Sequence, residues 1–153
     1  MLFYRLVLKA GHAGSGHYRD FIVYVYAETY AEAMKCARSF PMVKHRGVKT
    51  VQSLEQINER EYIIGILQNV YYCMSSYEYE SIRTLKDVIK TLERIDSSYI
   101  FETKEAKGLK MFCDKYKQAK DDQKILIEKE YLDWANKLIE EYENEKYNFP
   151  KLK

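Results

Sequence analysis

Lys44, His45 and Arg46 stand side by side, Gly47 follows, and Lys49 comes two residues later. Cations packed this densely could neutralise phosphates and hold a nucleic acid in place. Arg38, on the helix leading into this stretch, extends the cluster. The competing reading is ordinary solvated charge on a loop. Tyr24, Tyr26 and Phe3, on neighbouring strands, could supply an aromatic face on which bases stack.

The other reactive side chains make weaker constellations. His12, Ser15 and His17 lie in Ala10–His17, a stretch with three glycines whose backbone N–H groups could approach a phosphate. It joins two strands, whereas a phosphate-cradling loop joins a strand to a helix, and its spacing matches neither GxxxxGK[ST] nor GxGxxG. A hairpin tip explains the same composition. His12, His17 and His45 together could ligate a metal with an open fourth position, as catalytic zinc requires. Cys36 with a histidine could form a nucleophile and base. Its place near the alanines of a helix instead reads as a small buried hydrophobe. Glu140 and Glu141 read as a solvated face, not an acid–base pair. No motif calls for a cofactor.

One resemblance arises from order and local sequence. Tyr4-Arg5-Leu6-Val7, a glycine-containing loop, Phe21-Ile22-Val23-Tyr24-Val25-Tyr26-Ala27, Glu32-Ala33 and Val43-Lys44-His45-Arg46-Gly47-Val48-Lys49 resemble the small large-subunit ribosomal protein LX of archaea and eukaryotes. That family has a strand–strand–helix–strand order with a His-Arg-containing basic loop after the helix. The resemblance covers about a third of the chain and implies RNA contact through the loop. The loop here is less basic than in that family, and residues 58–153 match nothing in it.

Composition sets the frame. The chain has 153 residues, 46% hydrophobic and 31% charged, with 15 tyrosines and a net charge of +2. That length can bury a real core, and the balance is that of a globular protein. Overall charge does not demand a polyanion, but residues 1–57 hold eight Lys or Arg against four acids. Such a basic head hints at a charged partner. Three widely spaced cysteines, with no CxxC, point to reduced thiols in a cytoplasm. The start MLFYRLVLKAG is too short and alternating for a secretory signal, and no apolar run is long enough to span a membrane.

The elements that must position these residues are well punctuated. Leu2 to Lys9 alternates as a strand, and Asp20 to Tyr26 is apolar on both faces, as a central strand is. Thr29 and Glu32 form a capping box for a helix that Pro41 must stop. Val48 to Ile57 reads as a third strand. Asn58 and Glu61 open a helix to about Tyr72, and Cys73 to Glu80 is a break. Ile82, Leu85, Ile89 and Leu92 stripe the next helix, which Asp96-Ser97-Ser98 ends. Thr103 caps another, and Asp121 or Asp122 starts the last. On that last helix Tyr131, Trp134 and Tyr142 could anchor a partner or dimer interface.

The expected fold is α+β: a small antiparallel ββαβ sheet with one packed helix over residues 1–57, followed by a helical part over 58–153 that packs on it. The expected function is that of a non-enzymatic macromolecule-binding protein, prokaryotic or phage-like in scale. Lys44, His45, Arg46 and Lys49, with Arg38, form its contact surface, and RNA or DNA is favoured over protein. A protein-binding adaptor or inhibitor of a larger complex is the alternative. A metal-dependent enzyme using His12, His17 and His45 is the third reading.

Overall fold

The computed structural model describes residues 2–12, 18–38, 51–73 and 76–147. These form two compact units, Met1–Ser81 and Ile82–Lys153. The α+β class stands, with an antiparallel sheet first and helices after it. The division read at residue 57 falls inside the first unit, because the chain goes on to add strands to that unit's sheet.

In the first unit, β1 (Leu2–His12) and β2 (Tyr18–Ala27) pair antiparallel, from Leu2 opposite Ala27 to His12 opposite Tyr18. After α1 (Tyr30–Arg38), β3 (Val51–Ile57) pairs antiparallel with the other edge of β1. Then α2 (Glu59–Ile66) leads to β4 (Gln68–Cys73), which pairs with β2, and to β5 (Ser76–Ile82). The five-stranded order is β3-β1-β2-β4-β5. Thus α1 crosses from β2 to β3 with β1 between them, and α2 carries the chain back from β3 to the far side of β2.

Alternation assigns the faces. Tyr4, Leu6 and Leu8 share one face of the sheet with Val25 and Ala27, and α1 covers it with Ala33 and Ala37. The helix begins as its capping box requires. The Glu32 N–H donates to the Thr29 hydroxyl at 3.1 Å, and the Glu32 carboxylate accepts from the Glu28 N–H at 2.9 Å. The carboxylate thus reaches one residue beyond the cap. Cys36 is exposed, contrary to the expectation of burial, because Ala33 and Ala37 take the sheet-facing positions. The Tyr4 hydroxyl is buried and has no hydrogen-bond partner among the described residues, and burial pushes its pKa up, with Tyr30 and Glu32 adding to the shift.

The opposite face is covered by α2. Phe3 lies 4.5 Å from Tyr62, ring centre to ring centre, and the Tyr24 ring presses on the backbone of Gly65. The helix is buried along its whole apolar run, from Tyr62 to Leu67. Asn58 caps it, accepting from the Glu61 N–H at 2.8 Å. The helix does not continue to Tyr72. It ends at Ile66, where the Gln68 side chain donates to the Ile64 carbonyl at 3.2 Å. Residues 68–73 instead complete the ladder along β2, with Tyr71 opposite Phe21 and Tyr72 opposite Asp20. An aromatic, β-branched segment beside an unpaired strand edge gains more as a strand than as a helix.

The second unit holds α3 (Leu85–Leu92), α4 (Lys104–Gln118) and α5 (Asp121–Tyr147). Thr84 and Thr103 cap the first two through the Asp87 and Ala106 N–H groups. Between α3 and α4, Asp96 accepts from both the N–H and the hydroxyl of Ser98 at 2.9 Å, and these bonds lower its pKa. Leu85, Val88, Leu109, Phe112, Cys113, Tyr131 and Ala135 are buried.

Cys36 and Cys113 therefore differ sharply, the first exposed and the second buried. Burial pushes the Cys113 pKa up to about 12, so about one Cys113 in ten thousand is thiolate at pH 8. A thiol reagent followed by mass spectrometry should modify Cys36 in the folded protein and Cys113 only after denaturation. Rapid native labelling of Cys113 would contradict this packing.

Candidate functional site

The sheet brings to one end the strand termini that bound two sequence-predicted stretches. The pairing of β1 with β2 is described as far as His12 and Tyr18, and β3 starts at Val51 opposite Leu8, four residues before His12. Because β3 is antiparallel to β1, its start lies at the same end of the sheet as the end of β1. The distance along the strand from Leu8 to His12 is about 13 Å. Strand order had left open whether these ends coincide; the β3-β1-β2 arrangement brings them together.

Lys44, His45, Arg46 and Lys49 lie outside the described residues, as do Ser15 and His17. Pro41 and the start of the expected third strand lie outside them too. Arg38 is the last residue of α1 and His12 the last of β1; only the backbone of each is described. Among the described residues, no group of three or more His, Cys, Asp or Glu could hold a metal ion.

The aromatic platform read from Phe3, Tyr24 and Tyr26 is overturned. Phe3 is buried and packs against Tyr26 at 5.4 Å and Tyr62 at 4.5 Å, and Tyr24 lies under Gly65. A base cannot stack where a helix already sits. On the same face the Arg5 guanidinium meets Glu55 at 3.4 Å, an exposed pair that belongs to the sheet.

The aromatic residues of α5 divide. Tyr131 is fully buried, and its hydroxyl donates to the Arg83 carbonyl at 2.8 Å. One turn earlier, both carboxylate oxygens of Glu128 accept from the Leu85 N–H at 3.1 Å. Glu128 thus places a negative charge on the N-terminus of α3, where the helix dipole favours it. Tyr131 is committed to the interior and is no surface anchor. Trp134 is half-buried, 5.3 Å from Phe112, and closely covers Gly108. Tyr142 is half-buried as well.

A further charged surface lies on α4. The helix carries five lysines, Lys104, Lys107, Lys110, Lys115 and Lys117, all exposed, against two acids, Glu105 and Asp114. Glu105 is buried, so Asp114 alone offsets them on the solvent side. Lys117 lies 3.9 Å from Glu93; among the described residues the other four make no ion pair. The signal was present in the spacing, since the period that buries Leu109 and Phe112 turns these lysines outward.

Comparison with protein-family models, with curated proteins and with solved structures finds no match. No helix among the described residues is long and apolar enough to cross a membrane.

Proposed function

We propose that the protein is a non-enzymatic nucleic-acid-binding protein. Its contact surface comprises the basic residues Lys44, His45, Arg46 and Lys49, which precede β3, together with His12 at the end of β1 and Ser15 and His17 of the glycine-rich stretch that follows it. The observation that supports this reading most is topological. The strand that precedes the glycine-rich stretch, β1, ends at the same end of the sheet at which β3, the strand that follows the basic stretch, begins. Arg38 closes the helix that leads into the basic stretch. Lys and Arg there would neutralise phosphates, and the glycines would allow close approach of backbone N–H groups. The resemblance to the LX module points to the same class of partner. A cytoplasmic location fits the sparse cysteines.

The test is purification of the whole protein with and without nuclease, followed by binding measurements on Arg46→Glu and Lys49→Glu. Nucleic acid should copurify and be lost to nuclease. Each reversal should weaken binding about tenfold across unrelated sequences, because phosphate contacts position without reading bases. A nuclease-insensitive protein partner, with no retained nucleic acid, would instead establish the adaptor reading.

A further inference from the structure

The solvent face of α4 is arranged more specifically than a solvated helix requires. At 3.6 residues per turn, Lys107, Met111, Asp114 and Gln118 fall on one line along the helix. Lys110 and Lys117, seven apart, flank it on one side. Lys104 and Lys115, eleven apart, flank it on the other. Every one of these eight residues is exposed. The opposite side of α4 is fixed by Leu109, Phe112 and Cys113, and Phe112 meets Tyr131 and Trp134 of α5.

Local rules favour Lys115 and Lys117, which lie in the last turn where the dipole stabilises a cation, but argue against the other three on stability grounds. Lys104 is the first residue of the helix, where the dipole disfavours a cation. Lys104, Lys107 and Lys110 follow at three-residue intervals, so they repel one another on neighbouring turns. Departures from local consistency with no structural return concentrate at functional sites.

We infer that α4 docks on duplex DNA, with its central line in the major groove and its two lysine flanks against the phosphates of the two strands. This deepens the nucleic-acid reading above and rests on it. The complementarity is one of charge and shape. A major groove about 12 Å wide admits an α-helix, and α4 spans about 22 Å. The central line offers groups that base edges accept: a lysine and a glutamine for purines, a carboxylate for the cytosine amine, and a thioether for the thymine methyl. The described α4 face bears no exposed aromatic ring, which single-strand binding would use. A-form RNA closes its major groove to such a helix. The Lys117–Glu93 contact is an exposed pair that a phosphate can replace.

The experiment measures fluorescence anisotropy of a labelled 20-base-pair DNA duplex, the matching RNA duplex and one DNA strand, all with the full chain. Three variants accompany the wild type: Lys107→Gln/Lys110→Gln/Lys115→Gln, the same positions changed to Arg, and Lys44→Gln/Arg46→Gln/Lys49→Gln. The DNA duplex should bind best. The α4 Gln variant should lose at least about tenfold in affinity, and the salt slope should become shallower by about 2.7. The Arg variant should retain binding. If the α4 Gln variant binds as the wild type while the basic-stretch variant does not, the α4 proposal is wrong and the nucleic-acid reading survives. If only the α4 variant weakens, α4 is the contact surface and the basic stretch is not. RNA binding as tight as DNA overturns the groove assignment, and absence of all binding overturns both readings.

Discussion

Tyr131→Ala should lower the stability of the helical unit by about 4 kcal/mol, and Tyr131→Phe by about 1 kcal/mol. The ring is fully buried and touches Phe112 and Trp134, with centroids 6.1 and 6.5 Å away. Truncation to Ala removes those contacts and opens a cavity that a helix hairpin closes poorly. It also strips the Arg83 carbonyl of its donor. The Phe variant removes the hydroxyl alone, so the difference between the two separates packing from the hydrogen bond. Urea unfolding followed by Trp134 fluorescence is the suitable readout, since the chain's one tryptophan sits in this cluster. A loss below about 1 kcal/mol for Tyr131→Ala would mean that the residue is not core.

Gly65→Ala should destabilise the first unit by about 2 kcal/mol through overpacking. The expected sign is unusual, because an alanine inside a helix is ordinarily better than a glycine by up to about 1 kcal/mol. Here the new methyl group would overlap the Tyr24 ring, so either the ring or α2 must move. The shared contact predicts strong coupling. In a Tyr24→Ala background, Gly65→Ala should cost nothing or stabilise, and a double-mutant cycle measures the difference. Simple additivity would place α2 somewhere other than on Tyr24.

Most of the fold was legible because its punctuation is local. Thr29 with Glu32, Asn58 with Glu61, and Thr103 each announce a helix start through a side chain that satisfies a nearby backbone donor. The alternation of Leu2 to Lys9 gave the two faces of β1. The end of α2 was not legible in the same way. Residues 62–72 form two apolar and aromatic runs split only by Gln68-Asn69, and periodicity cannot tell a buried helix from a buried strand in runs this short. The division is decided by a distant event, the pairing of Tyr71 and Tyr72 along β2.

The same limit governs the sites. Phe3 and Tyr24 look identical in sequence whether a helix covers them or a base could stack on them. What decides is Tyr62 and Gly65 of α2, about forty to sixty residues away along the chain. Tyr131 carries an apolar ring and a polar tip, so it suits a core and an interface alike. Its packing against Phe112 and Trp134 and its bond to the Arg83 carbonyl commit it to the interior. The exposure of Cys36 turned on one helical position, since its neighbour Ala37 takes the buried place. The α4 lysines were readable from spacing, but their meaning depends on knowing which side of that helix is covered.

The central claim is that this protein holds nucleic acid through its lysines and arginines. The most direct measurement is a salt titration of binding by the full chain to labelled duplex DNA, from about 50 to about 200 mM salt. The account predicts that log affinity falls linearly with log salt, with a slope of about −2.7 from Lys44, Arg46 and Lys49 alone, and steeper once α4 engages. A flat line, or binding undetectable even at the lowest salt, would contradict it.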